Sequence, residues 1–125
     1  MPVHIFGARS GTQQEFADAA KLCATFSPFG FGKLDETLKI IRSAPIYLSI
    51  DLDVLDPAFA PGVGTPEPGG VSSPEFIETL LWVLNNANIV AADVVELSPQ
   101  HDPSGASAMI AAKIVREILL GASTG

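Results

Sequence analysis

Residues 46–56 read IYLSIDLDVLD, and this stretch decides the fold. Its first part is rich in β-branched and aromatic residues and has no helical period, so it predicts a strand over residues 46–50. Asp51 and Asp53 follow at alternate positions where the strand ends. Because side chains two apart on a strand share a face, we expect both carboxylates to point to one spot.

The segments on either side of this strand predict a parallel α/β fold. Short apolar runs beginning near Val3 and Ile89 supply two more strands, and amphipathic segments separate the three. This alternation indicates a three-layer arrangement, a parallel sheet flanked by helices on both faces. Three strands make a thin sheet with open edges, so we expect residues 1–125 to be one part of a larger α/β unit or to need a partner.

Helix boundaries can be predicted from their capping residues. Thr12 and Glu15 stand at capping-box spacing before a first helix that runs to Cys23. A second helix is predicted over residues 33–42, and residues 27–32 form a loop. Ser73 followed by Pro74 is the pair expected at the start of a third helix.

Composition excludes several classes of protein. The chain has 125 residues, 47% of them hydrophobic, which suits one globular domain. A net charge of −7 argues against binding to nucleic acid or to an anionic membrane surface. No stretch approaches the roughly 20 apolar residues of a membrane span. The single cysteine, Cys23, excludes an internal disulfide and favours a cytoplasmic protein.

The charges are distributed unevenly along the chain. Residues 43–112 contain no Lys or Arg but nine acidic residues. A solvated acidic surface is one reading of this segment, and a site for a metal or a cationic ligand is the other. Within it, Asp56 is predicted to shape a turn and Asp102 to cap a loop. Asp93 interrupts an apolar strand and would need a partner if buried, for which Arg9 is the candidate.

Asp51 and Asp53 are the strongest candidates for chemistry. Adjacent carboxylates repel each other, and a hard divalent cation such as Mn²⁺ or Mg²⁺ removes the conflict. A proline- and glycine-rich loop over residues 51–70 follows directly, and irregular segments of this length are usually functional. The structural alternative is that both residues begin a turn and cap neighbouring amides.

Three segments together resemble the ureohydrolases, the family of arginase and agmatinase. The first is SIDLDVLDP at residues 49–57, followed by PGVGTP at residues 61–66 and Gly69-Gly70. GARSGTQQE at residues 7–15 is similar to the G-x-R-S segment of agmatinase-like members. DVVELSPQHD at residues 93–102 is similar to their D-x-V-E-x-x-P-x-x-D segment. The resemblance runs over nearly the whole chain and corresponds to the C-terminal portion of the family's α/β domain.

The resemblance implies a function and a site. Ureohydrolases use two Mn²⁺ ions to hydrolyse a small cationic guanidino substrate, here most closely agmatine, to urea and an amine. Asp51 and Asp53 would be metal ligands, and Glu96 would pair with the substrate guanidinium. The resemblance also implies a homo-oligomer.

The chain departs from the family pattern in one respect. The G-G-D-H and D-A-H-x-D segments, which carry the remaining metal ligands, do not occur in it, and His4 and His101 do not stand in those motifs. Three hypotheses follow. The chain is the C-terminal part of a ureohydrolase, or a catalytically inactive remnant or assembly module of that fold, or an unrelated Mg²⁺-binding α/β module.

Overall fold

The computed structural model describes residues 1–41 and 43–122. Arg42, the last residue of the predicted second helix, lies outside them. Four strands and four helices alternate with two short 3-10 helices, Leu52–Val54 and Pro99–His101. The main elements are β1 (His4–Phe6), α1 (Gln13–Leu22), β2 (Thr25–Ser27), α2 (Leu34–Ile41), β3 (Pro45–Asp51), α3 (Ser73–Asn86), β4 (Asn88–Val95) and α4 (Ala106–Ala122).

All strand pairing in the described chain is parallel, as predicted. β1 pairs with β2, and β3 pairs with β4, which gives two two-stranded sheets where one three-stranded sheet was expected. The prediction missed β2 because it has three residues and runs directly into a loop rich in Gly and Pro. The β3–β4 register shifts between Ile46 and Tyr47, so that Ser49 lies opposite Asp93 and Asp51 opposite Val95.

The capping residues explain where the helices begin. Thr12 and Glu15 form the predicted capping box of α1. For α3, however, the capping residue is Ser72, whose side chain accepts from the Glu75 amide; Ser73 is already the first helical residue. The prediction was therefore one residue late, because adjacent serines offer equivalent caps.

The core lies between one face of β3–β4 and helices α3 and α4. It contains Ile50 from β3, Phe76 and Leu80 from α3, and Ile114 from α4. On the other face of β3 the side chains of Tyr47, Ser49 and Asp51 are exposed. Helices on both faces were predicted; in the described residues α3 and α4 cover one face, as fits an incomplete part of a three-layer fold. No described helix is long and apolar enough to cross a membrane.

Candidate functional site

Asp51 and Asp53 lie together at the carboxyl end of β3. Asp51 is the last strand residue and caps the 3-10 helix that follows, where its Oδ1 accepts the Asp53 amide at 3.1 Å. The buried side chains of Leu52 and Val54 hold this turn in the core. Asp51 therefore has the capping role that was the structural alternative, and both carboxyl groups lie on the same turn.

The Asp53 carboxyl group is in an unfavourable electrostatic environment. Its partial burial raises its pKa to about 6, and the neighbouring Asp51 carboxylate and, more weakly, Glu96 contribute to the increase. Arg9 acts in the opposite direction. Carboxylates that repel one another in this way favour a bound cation.

Glu96 follows directly after β4. Because β3 and β4 are parallel, their carboxyl ends lie at the same edge of the sheet, which brings Glu96 toward Asp53. Its backbone φ is +69°, the one positive value at a described residue other than glycine. Such a conformation is sparsely populated by L-residues and is concentrated at functional sites. A Cβ on Gly64 would lie 3.0 Å from Glu96 Oε2, so glycine at that position leaves space for the carboxylate.

The loop over residues 51–70 is closed by Asp56. Its carboxylate accepts the amides of Ala58, Gly69 and Gly70 at 2.9, 2.8 and 3.2 Å. These hydrogen bonds hold the pKa of Asp56 below its usual range. Gly70 is required at the closure, because a Cβ there would lie 2.4 Å from the backbone nitrogen of Asp56. The predicted turn role of Asp56 is confirmed.

Asp102 fastens the middle of the same loop to α4. The carboxylate, which is 6% exposed, accepts the Ser107 amide and hydroxyl at 2.7 Å each, and the Ser104 hydroxyl at 2.5 Å. The Gly62 amide in turn donates to Ser107 Oγ at 2.8 Å, and the Gly62 oxygen accepts from the Ser98 amide. The loop is thereby held beside the segment that carries Glu96.

The predicted pairing of Asp93 with Arg9 is wrong. Asp93 accepts hydrogen bonds from the hydroxyl groups of Tyr47 and of Ser49, its register partner on β3. Arg9 instead donates to backbone carbonyl oxygens of the loop, including Asp53 O at 2.8 Å. Acid–base matching along the sequence missed this role because the acceptors are carbonyl groups, which every residue carries.

The two histidines form hydrogen bonds with residues outside the Asp51–Asp53 turn. His4 Nδ1 lies 2.9 Å from Thr25 Oγ1 on β2, and His101 Nδ1 lies 3.0 Å from Ser98 Oγ. No described group of three or more His, Cys, Asp or Glu side chains is arranged to hold a metal ion. Asp51 and Asp53 have the hard oxygen donors that Mn²⁺ and Mg²⁺ prefer, and so fit part of a ligand set.

The fold and the carboxylate turn define an arginase-like α/β protein, and comparison with known proteins gives the family. Residues 2–121 match the model of the arginase family, so the chain belongs to that family. The part present is C-terminal and incomplete.

Individual relatives agree with this assignment. An agmatinase from Halalkalibacterium halodurans is 43% identical over 121 residues, which cover 95% of this chain and 42% of the relative. A guanidinopropionase from Pseudomonas aeruginosa is 46% identical over 86 residues, 69% of this chain and 27% of that enzyme. The arginase structure from Bacillus subtilis superposes with a TM-score of 0.82 at 32% identity, covering 94% of this chain and 43% of that one. The chain thus spans less than half the length of these proteins.

Proposed function

We propose that this chain is the C-terminal part of a manganese-dependent ureohydrolase that converts a guanidino compound to urea and an amine. Agmatine is the substrate that we propose first. The observation that carries the proposal is the convergence of Asp51, Asp53 and Glu96 at the carboxyl ends of two adjacent parallel strands. Ligand sites of α/β proteins lie at this edge of the sheet. The agmatinase and guanidinopropionase relatives support the guanidino substrate class.

In this proposal Asp51 and Asp53 hold Mn²⁺. A bound divalent cation would lower the pKa of water and supply a nucleophile at neutral pH. The Asp51–Asp53 turn contributes orientation, because the Asp51 carboxylate is already fixed by the Asp53 amide. The raised pKa of Asp53 supports this role, since a cation would compensate the repulsion that raises it.

Glu96 binds the substrate guanidinium in this proposal. A carboxylate accepts two parallel hydrogen bonds from a planar guanidinium, which orients the carbon that water must attack. Residues 43–112, which carry all three carboxylates, contain no Lys or Arg. Arg9 reaches the loop from outside this segment and donates to backbone carbonyl groups. A side chain at Gly64 would crowd the Glu96 carboxylate, because its Cβ would lie 3.0 Å from Oε2.

The alternative function is an inactive remnant or assembly module of the family. It is favoured by two observations: the chain spans 42% of the H. halodurans agmatinase, and the described residues contain no complete metal-binding group. Under this alternative the Asp51–Asp53 turn is a helix cap, and Glu96 has no substrate to bind.

A urea assay on the purified chain with Mn²⁺ tests the proposal. Mn²⁺-dependent urea release from agmatine, with arginine and guanidinobutyrate as comparison substrates, would support the ureohydrolase function and contradict the inactive remnant. Glu96→Gln should reduce the rate by about a hundredfold, the scale on which removal of one charge-stabilising group acts. The matched control is Glu78→Gln, which changes an exposed glutamate on α3.

Mn²⁺ titration separates the two functions when no urea is released. Retained Mn²⁺ binding that Asp51→Ala abolishes would support a metal site that lacks the rest of its enzyme. Binding that Asp51→Ala leaves unchanged would contradict the metal role of this chain and favour the assembly module.

A further inference from the structure

The side chain of Arg9 contacts four backbone carbonyl groups of the loop over residues 51–70. Its Nη1 donates to Asp53 O at 2.8 Å and lies 3.4 Å from Val54 O, and its Nη2 lies 3.5 Å from Leu55 O. The same Nη2 also donates to Glu67 O, near the other end of the loop. One guanidinium therefore joins the Asp53–Leu55 turn to residue 67.

The turn that carries Arg9 is itself packed against the same region. Gly7 has a φ of +78°, and a Cβ on it would lie 2.6 Å from Val54 Cγ2. The Gly7 amide donates to Ser27 O on β2, and the Arg9 amide donates to Gly7 O. Arg9 thus projects from a backbone fixed by the β1–β2 sheet, and the close approach at Gly7 sets its distance from the loop.

We propose that Arg9 is a positioning residue for the candidate site, and that it holds Asp53 in place by binding the carbonyl groups at both ends of the loop. The planar fork of a guanidinium can serve several carbonyl oxygens at once, whereas a lysine ammonium acts as a point donor. Arg9 Nε is buried and has no hydrogen-bond partner in the described structure, so the two Nη groups make all of the side chain's hydrogen bonds there. The importance of this role for catalysis rests on the proposed function.

Amide hydrogen exchange on the metal-free chain tests the positioning role directly. Arg9→Met should accelerate exchange of the Asp53, Gly69 and Gly70 amides by about tenfold or more, since charge-assisted hydrogen bonds are lost, while β3–β4 amides keep their rates. Arg9→Lys should give an intermediate acceleration. The matched control is Arg116→Met, which removes an exposed arginine paired with Glu117 on α4 and should leave the loop unchanged.

A spectroscopic signature distinguishes positioning from general stabilisation. The backbone carbonyl ¹³C shifts of Asp53 and Glu67 should move in Arg9→Met and return part of the way in Arg9→Lys. Loop exchange that stays at the wild-type rate, or that rises equally in β3–β4, would overturn the proposal. If Arg9→Met does not fold, Arg9→Lys decides, and wild-type carbonyl shifts in that variant would be the contrary result.

A Mn²⁺ titration connects the inference to the site. Arg9→Met should weaken Mn²⁺ binding by about tenfold, because a mobile Asp53 must be ordered again on binding. Should the wild-type chain bind no Mn²⁺, the proposed metal role would fail, whereas the exchange and shift measurements would still decide whether Arg9 positions the loop.

Discussion

The loop over residues 51–70 is largely irregular but contributes buried residues to the core, whereas the regular helix α1 contributes none. The loop has only one short 3-10 helix, yet Leu52 and Leu55 within it are 0% and 1% exposed. Helix α1 has a complete capping box but contains no buried residue. The hydrophobic core therefore depends on the irregular segment, which also carries the candidate site, so that folding and site formation are coupled there.

Truncation of a core leucine should give the largest difference between the two regions. Leu52→Ala is expected to lower the free energy of unfolding by about 2–5 kcal/mol, because it leaves a cavity in a closed core. Leu22→Ala in α1 is the matched control; Leu22 is 83% exposed, and its truncation should change stability by less than about 0.5 kcal/mol. Urea unfolding measures the change in stability of both variants. Equal losses would contradict the statement that the loop, and not α1, contributes to the core.

Substitution of a glycine should give the next largest effect. A Cβ at Gly70 would meet backbone atoms at 2.4–2.7 Å, so Gly70→Ala should cost about 1–3 kcal/mol. A Cβ at Gly32, before α2, would have no described atom within 4 Å apart from those of its chain neighbours. Gly32→Ala should therefore be neutral or stabilise the chain by up to about 1 kcal/mol. Thermal unfolding distinguishes the two; a harmless Gly70→Ala would mean that the loop closure can relax.

Acid should loosen the attachment of the loop to α4. Hydrogen bonds, first that of the Ser104 hydroxyl and then those of Ser107, lower the pKa of Asp102 to about 2 from its ordinary 3.8. The stability from this lowered pKa is complete above about pH 4 and is lost as the pH falls toward 2. Between about pH 4 and pH 2, the stability of Asp102→Asn should therefore depend less on pH than the stability of the wild type does.

The control for this titration is Asp18→Asn in α1, which should leave the acid dependence as it is. Urea unfolding at several pH values between 5 and 2 is the measurement. Parallel curves for the wild type and Asp102→Asn would show that Asp102 does not contribute to the acid response.

The smallest expected effect is an increase in the free energy of unfolding, whereas the substitutions of Leu52 and Gly70 lower it. Because the pKa of Asp53 is raised to about 6, ionisation of this group opposes folding, and its contribution to stability falls as the pH rises from about 4 to about 6. At pH 8 Asp53→Asn should therefore stabilise the metal-free chain, by on the order of 1 kcal/mol after solvent screening. The control, Asp35→Asn, removes an exposed ion pair with Lys39 and should change little.

Added Mn²⁺ sharpens this last prediction. Ligand binding to the native state stabilises it, so Mn²⁺ should raise the melting temperature of the wild type more than that of Asp53→Asn. A gain of equal size in both variants would contradict the metal role proposed for Asp53.

The sequence predicted the features that depend on short-range patterns. β3 and the α1 capping box were predicted because each pattern is contained within a few residues. Asp51 and Asp53 lie together as expected, but strand alternation was the wrong reason, because Asp53 stands in the 3-10 helix that follows β3. The adjacent Ser72 and Ser73 were harder to separate, since both are good capping residues. β2 was missed because its three residues, TFS, contain no apolar run, whereas the equally short β1 lies in one.

Long-range relations were beyond such patterns. The contact between Arg9 and Asp53 O spans 44 residues, and the turn before Arg9 contains Gly7 with a φ of +78°. Asp93 was assigned the wrong partner because the register between β3 and β4, which brings Ser49 opposite it, is a property of the folded sheet. The metal and guanidinium roles of Asp51, Asp53 and Glu96 remain predictions.

The left-handed backbone at Glu96 has a consequence for how this position tolerates change. A glutamate in that conformation is disfavoured by about 1 kcal/mol or more relative to glycine, which adopts it without a steric penalty. A mutant library screened for heat resistance alone should therefore enrich Glu96→Gly. Under the proposed function, a library of the ureohydrolase screened for urea production should discard the same substitution. Selection for durability and selection for chemistry would choose different amino acids at this one residue.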